Sequence, residues 1–242
     1  MRYAVLSDIH SNLTALEAVL ADLEKLGRVD EIWCLGDSVG YGPDPHECLE
    51  IVLSRCSLCV AGNHDLVAIG KLDTSVFNQD AARAASWTRC QLNKEETGFL
   101  TGLPLIVEKG DFTLAHGSPR APIWEYITSR KEAEENLAHL KTSFCLTGHT
   151  HVAQYFQCRE SCNSVRPEAG ASLKLEDSRY FINPGGVGQP RDGDPRAAYA
   201  VYDSDTATIV FRRVSYDIAA VQTRMQKAGL PLWLTERLAY GR

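Results

Sequence analysis

The 242-residue chain reads as an α/β fold with two sheets flanked by helices, and three observations predict it. Short apolar runs alternate with helical stripes over the first half. A second group of strand-like runs follows His151. Five of the seven histidines fall in short polar clusters that follow, or lie inside, the apolar runs.

Tyr3 to Leu6 is a short buried-strand run. Leu13, Leu16, Leu20 and Leu23 then repeat at three- and four-residue steps, the stripe of an amphipathic helix, and Gly27 fits its end. Glu31 to Leu35 completes a strand-helix-strand opening. Leu58 to Ala61, Phe112 to Ala115 and Phe144 to Thr147 are further strand runs, with helices predicted near Pro45 to Ser54, Asn78 to Leu92, Glu95 to Thr101 and Ser129 to Leu140. Leu105 to Glu108 pairs with Phe112 to His116 as a hairpin turned at Lys109-Gly110-Asp111. The second group comprises Ala153 to Gln157, Ser172 to Leu175, Arg179 to Ile182, Ala198 to Asp203 and Ala207 to Val214. From Tyr216 to Arg242 a tail reads as two short helices broken at Gly229-Leu230-Pro231. Ile218, Val221 and Met225 are expected to pack on the domain, as, by preference over a subunit contact, are Trp233 and Leu238. No stretch reads as a linker, so residues 1–242 are expected to form one domain with a helical tail over 216–242.

The formal charge of −6 argues against broad, sequence-blind binding of duplex nucleic acid, which needs a basic face. The opening run is too short for a signal peptide and no apolar run approaches membrane-spanning length, so a cytoplasmic protein with no membrane partner is expected. Cys34, Cys59 and Cys145 sit in apolar runs where reduced cysteine packs as a small hydrophobe. Cys56 and Cys59 have redox-pair spacing, but in a strand they would point to opposite faces, and packing is the expectation. Cys158 and Cys162 bracket a loop, exposed and paired or not.

The clusters carry the chemistry. They are Asp8-Ile9-His10, Gly62-Asn63-His64-Asp65, Ala115-His116-Gly117 and Gly148-His149-Thr150-His151, with Gly36-Asp37 ending another run. Taken singly, each has a plain structural explanation: Asp8-Ile9-His10 resembles a helix start, with Ser11 or Asn12 as cap, and His64 alone fits a satisfied core histidine. Together they bring five strand ends to one edge, where an open α/β sheet normally binds ligands. Imidazole, carboxylate and carboxamide oxygens suit borderline divalent metals. Two Asp, one Asn and four His exceed the needs of one ion and suit two with a shared carboxylate. Two ions about 3.5–4 Å apart can clamp the attacking and leaving oxygens of a phosphoryl displacement. His46 and His139 lie outside the clusters and read as surface residues.

The order Asp-x-His, Gly-Asp, Gly-Asn-His-Asp, His-Gly and Gly-His-x-His, from Asp8 to His151, resembles the calcineurin-like metallophosphoesterase superfamily. The resemblance implies a four-layer αββα sandwich with the metals at the C-terminal edge of the strands. It implies that Asp8, His10, Asp37 and His151 hold one ion and that Asp37, Asn63, His116 and His149 hold the other, Asp37 bridging. His64 would be the non-ligand histidine that protonates the leaving oxygen after attack by a metal-bridging hydroxide, with Asp65 its candidate partner. The implied cofactors are two divalent ions, manganese first, with iron, zinc, nickel or cobalt as alternatives.

Gly36-Asp37-Ser38-Val39-Gly40-Tyr41-Gly42 departs from the phosphoprotein phosphatase pattern, which has an Asp and an Arg where Gly40 and Tyr41 stand. A guanidinium grips two phosphate oxygens and a tyrosine hydroxyl does not. With Asn183 to Arg191, the glycine-rich loop instead is similar to the compact bacterial phosphodiesterases that include YfcE-like enzymes and asymmetrical diadenosine tetraphosphate hydrolases, although it also fits a plain strand-ending turn. Candidate substrate contacts are Asn63, Tyr41 (stacking a base or ribose), Arg120 and Arg191. The expected partner is a small phosphorylated substrate, a nucleotide among the candidates. A phosphomonoesterase or phosphoprotein phosphatase, and a non-catalytic metal-binding scaffold, are the alternatives, and a homo-oligomer is left open.

Overall fold

The computed structural model describes residues 1–242. Its first half runs β1 (Arg2–Leu6), α1 (Leu13–Lys25), β2 (Glu31–Cys34), α2 (Pro45–Arg55), β3 (Leu58–Cys59), α3 (Asn63–Ala68), α4 (Gln79–Gln91), α5 (Lys94–Gly102), β4 (Ile106–Lys109) and β5 (Phe112–Ala115). The second half runs α6 (Arg130–Asn136), β6 (Phe144–Leu146), β7 (Ala153–Cys158), β8 (Cys162–Val165), β9 (Ser172–Lys174), β10 (Arg179–Pro184), β11 (Ala197–Asp203), β12 (Thr208–Val214), α7 (Ile218–Lys227) and α8 (Leu232–Glu236). A closing 3-10 turn covers Arg237–Tyr240.

Two six-stranded mixed sheets result, ordered β3-β2-β1-β11-β12-β9 and β4-β5-β6-β10-β7-β8. Strands β1, β2 and β3 are mutually parallel in the first sheet, and β5 and β6 in the second. Side chains alternate across each strand, and here both faces are apolar. On β1, Ala4 and Leu6 meet the core shared with α1 and α2, while Val5 faces the other sheet; Ile32 and Trp33 divide the same way on β2. Between the sheets, Val5, Trp33 and Phe211 pack against Leu114, Tyr180 and Ile182. Behind the second sheet, Cys145 and Phe181 pack against Ala133 of α6. Helix, sheet, sheet and helix form the expected four layers. Burying each large apolar side chain contributes roughly 1.5–3 kcal/mol.

Several local expectations change. Asn12, not Ser11, caps α1, its Oδ1 accepting from Ala15 N at 3.1 Å. Helix α3 was not foreseen, and neither was β8, a polar edge strand joined to β7 by a Cys158–Cys162 disulfide. That pair is buried rather than exposed. Cys56 and Cys59 do not point to opposite faces: Cys56 lies before the strand as the α2 cap, and both pack with Cys34 against the same core. In the tail, Val221, Met225 and Leu238 pack on Tyr41 and α4, but Trp233 is 55% exposed. His46 and His139 are at the surface. No helix is long and apolar enough to cross a membrane.

Candidate metal centre

Because β1, β2, β3, β5 and β6 point the same way within their sheets, their C-terminal ends deliver the clusters to one edge. Asp8 and His10 follow β1, Asp37 follows β2, Asn63 and His64 open α3 after β3, His116 follows β5, and His149 and His151 follow β6. All eight are buried. The metal-ligating atoms of Asp8, His10, Asp37 and His151 lie within 4.8 Å of one another, as do those of Asp37, His116 and His149. Asp37 belongs to both groups. Its Oδ2 is 3.3 Å from His116 Nε2 and 3.6 Å from His10 Nε2, while its Oδ1 accepts the His64 backbone N–H at 2.8 Å.

Tight loops hold these residues in an uncommon backbone conformation. Asp8 (φ 54°), His10 (50°), Asp37 (53°), His149 (66°) and His151 (58°) are all left-handed. Each costs roughly 1–2 kcal/mol for a residue with a Cβ. Cross-links between the loops hold them: His10 N donates to Asp37 O at 3.0 Å, Gly148 N to His116 O at 2.8 Å, and Gly188 N to Asp8 O at 2.9 Å.

The histidines are oriented from behind. His10, His116 and His151 each direct Nδ1 at a backbone carbonyl, of Val39 (3.1 Å), Leu35 (2.8 Å) and Gln189 (2.6 Å). Donation from Nδ1 leaves Nε2 as a lone pair facing the centre. His10 Nε2 and His151 Nε2 then stand 3.2 Å apart, and His116 Nε2 stands 3.2 Å from His149 Nδ1 and 3.0 Å from Asn63 Oδ1. Lone pairs so directed repel unless a cation lies against them. Asp8 Oδ1 and Asp37 Oδ2 are buried without any hydrogen-bond partner. The donor set therefore fits divalent cations of borderline type.

Electrostatics reinforce this at every clustered histidine but His116, which burial lowers and the adjacent Asp37 and Asp8 carboxylates raise further, to about 10. Burial holds His10 and His151 well below the ordinary imidazole range, His149 down at about 3 and His64 at about 4. These imidazoles are neutral at pH 7, the form that ligates metals. Burial raises Asp8 to about 6. At Asp37 burial is overcome, chiefly by the nearby His116 and His64, and the carboxyl is held below the usual range.

The profile of the calcineurin-like phosphoesterase superfamily domain matches residues 1–207. The chain belongs to that superfamily. It is a metal-dependent phosphoric ester hydrolase, as the sequence resemblance implied. An uncharacterized protein of Methanocaldococcus jannaschii is 42% identical over 245 residues, covering 99% of this chain and 98% of its own. The crystal structure of a metallophosphoesterase from Sphaerobacter thermophilus superposes with a TM-score of 0.91 at 47% identity, covering 100% of this chain and 99% of that one. A symmetrical bis(5'-nucleosyl)-tetraphosphatase of Vibrio cholerae is 30% identical over 145 residues, 54% of this chain and about half (49%) of that relative.

Around this phosphoesterase centre lies a cleft of about 450 Å³, lined by Asp37, Asn63, His64, His149 and His151 and walled by residues the sequence did not single out: Phe77, Trp124, Tyr126 and Arg237. Phe77 stacks on His64 at 4.4 Å, Tyr126 stacks on His149 at 4.0 Å, and Trp124 meets Phe77 edge-on at 6.2 Å. Arg191 also lines the cleft.

Three sequence expectations need correction. Arg120 does not line the cleft, because Glu125 and Glu135 engage its guanidinium outside it. Asp65 does not bond to His64. Its oxygens accept the backbone N–H groups of Asp37 (2.9 Å), Gly62 (3.0 Å) and Val39 (3.2 Å), so it braces the loop that carries Asp37, and His64 Nδ1 is left buried and unpartnered. Tyr41 lines the cleft but is only 7% exposed, its ring packed by His64 (4.3 Å), His10 (4.6 Å) and the Arg191 guanidinium (5.7 Å). No ring face is left for a base or ribose.

Proposed function

We propose that this phosphoesterase hydrolyses phosphodiester or dinucleotide polyphosphate bonds at two divalent ions, with His64 as proton donor and residues 1–242 acting as one unit. The carrying observation is the pair of ligand groups that share Asp37 at the floor of an aromatic-walled, cationic cleft.

Asp8, His10, Asp37 and His151 would hold one ion and Asp37, Asn63, His116 and His149 the other. Manganese is the first choice, with iron, zinc, nickel or cobalt as alternatives. Divalent ions supply a lowered pKa for bound water and charge neutralisation on the phosphoryl oxygens. As the water oxygen bonds to phosphorus, the bond from phosphorus to the leaving oxygen breaks, and His64 gives that oxygen a proton. His64 sits neutral while the cleft lacks an anion, and an entering phosphoryl group favours its protonated form. Arg191 offers a guanidinium for phosphoryl oxygens. Trp124, 40% exposed, and Phe77 offer the apolar wall for a base that Tyr41 cannot. A nucleotide substrate is supported by these aromatics and by the likeness to the bis(5'-nucleosyl)-tetraphosphatase.

The test is hydrolysis of bis-p-nitrophenyl phosphate, p-nitrophenyl phosphate and diadenosine tetraphosphate by metal-free protein reloaded with manganese. Turnover of the diester or dinucleotide well above the monoester is expected. Monoester preference would favour the phosphatase alternative, and no turnover with two ions bound would favour a binding role.

A further inference from the structure

We propose that Arg237, carried by the C-terminal tail, is a specificity-determining residue: with Arg191 it grips a second phosphoryl group, so the cleft selects substrates with at least two contiguous phosphoryl groups over simple diesters. This rests on the hydrolytic reading of the metal centre given above.

Both guanidinium groups line the cleft that contains Asp37, His149 and His151. Neither pairs with an Asp or Glu side chain, and Arg237 bonds only the main-chain oxygen of Arg242. Neighbouring arginines behave differently: Arg196 pairs with Asp194 at 2.6 Å, and Arg224 of the tail pairs with Asp44 at 2.9 Å. Burial and the Arg191 charge push Arg237 down to about 10, so it stays charged at neutral pH while facing a like charge. Two half-buried guanidinium groups repel each other, and an anion between them relieves the repulsion.

Their supports fix them independently of any ligand. Arg191 donates from Nε and Nη2 to Gln189 Oε1 at 3.3 and 2.8 Å and from its backbone to His151 O at 3.1 Å. Arg237 donates from Nε to the main-chain oxygen of Arg242, the last residue of the sequence. The two segments are also tied together. Gly193 N donates to Gly241 O at 3.0 Å, and Gly241 has φ +61° with no room for a Cβ, which would lie 2.7 Å from the Asp194 carbonyl carbon. Leu234 and Leu238 anchor the tail from below, in the cluster that contains Tyr41. Each guanidinium keeps further N–H groups unused, and this fork matches phosphoryl oxygens.

Charge decides the substrate class. A simple diester carries one negative charge, which the ions at the floor of the cleft neutralise. Two additional cations beside the centre are matched only by additional phosphoryl charge. Arg237 lies beyond residues 1–207 matched by the superfamily profile, so this selectivity belongs to the tail of this chain.

The test compares wild type with Arg237→Ala and Arg237→Lys, manganese-loaded, on diadenosine tetraphosphate and bis-p-nitrophenyl phosphate. Calorimetric titration with inorganic tripolyphosphate and with inorganic phosphate adds a binding readout. In Arg237→Ala the ratio of kcat/KM for tetraphosphate over diester should fall about tenfold or more, mainly through KM, and the preference for tripolyphosphate over phosphate should fall similarly. Arg237→Lys should recover part of both. Equal losses on both substrates, or unchanged ratios, would overturn the proposal. A wild type that hydrolyses neither substrate would overturn the hydrolytic reading instead. In that case a tripolyphosphate preference lost in Arg237→Ala still supports the clamp, and its absence in wild type overturns it.

Discussion

Replacing Gly40 by alanine tests whether His64 must stand where the fold puts it. Gly40 has φ +92°, and a Cβ built there lies 2.5 Å from His64 Nδ1 and 3.0 Å from its Cγ. Ordinary contact begins at 3.4 Å, so the imidazole must withdraw by about 0.9 Å, the difference between 3.4 and 2.5 Å. Phe77 at 4.4 Å and Tyr41 at 4.3 Å limit where the ring can go. A displacement of about 1 Å at a reacting group costs roughly 10²-fold in rate, about 2.7 kcal/mol of activation free energy. The backbone cost of a left-handed alanine, roughly 1–2 kcal/mol, is offset by ~0.4–1 kcal/mol from the stiffer unfolded chain. The net of about 1 kcal/mol lowers Tm by roughly 2–4 °C in a chain of this size. Thermal melting, metal analysis and turnover of aryl phosphodiesters graded by leaving-group pKa separate these effects. The variant should fold, keep its metal, and lose about 10²-fold on poor leaving groups but much less on p-nitrophenolate. Full activity on poor leaving groups would refute the positional argument, and loss of metal would show that the damage did not pass through His64.

Further outcomes follow from the same site. His64→Ala should retain its metal while turnover on poor leaving groups falls by about 10²–10⁴; equal loss on good and poor leaving groups would count against proton donation. Asp37→Ala should lower metal content per chain in elemental analysis, and a variant that keeps two ions would contradict the shared carboxylate. Glu125 is held at about 2, against burial, by Arg120, Ser118 and Asn136. A carboxyl depressed on folding stabilises above its unfolded pKa of 4.5 and loses that contribution as pH falls towards 2. Glu125→Gln should therefore lower Tm at pH 7, with the gap to wild type narrowing below pH 4.5; a gap constant from pH 7 to pH 3 would rule out the ionised carboxylate as its source.

The metal floor was legible because each ligand sits within five residues past the end of an apolar strand, and parallel strands in a sheet must present those ends together. The wall of the cleft was not. Phe77, Trp124 and Arg237 reach it from loops and the tail, at positions with no periodic or motif signal. Adjacency misled at two points. Asp65 follows His64, but neighbours on a helix do not face each other, and as the third residue of α3 Asp65 turns back to the N–H groups of Gly62 and the Asp37 loop. Arg120 follows the His116-Gly117 pair, but Glu125 and Glu135, which engage its guanidinium, carry no motif that pairs them with it in the sequence. Strand β8 went unseen because Cys162-Asn163-Ser164-Val165 exposes all but its first residue and lacks the alternation that marks a half-buried strand.

Tyr41 links these parts. Its position looked like the lost phosphate grip of a phosphatase, and its ring proved too enclosed to touch a base. What it does in the fold is join three components: it packs on His10 of the metal floor, on His64, and on the cluster of Leu234 and Leu238 that seats the tail. Arg191 lies over the same ring. A side chain built into four functional parts at once, at a left-handed φ of 58°, costs backbone strain and returns a fixed distance between floor, proton donor and cations. Where an arginine at this position would grip phosphate directly, this chain has a tyrosine ring with Arg191 over it, the cation proposed above for that role. On the proposed reading, charge recognition shifts from the loop after β2 to the Arg191 loop and the tail, both of which line the cleft.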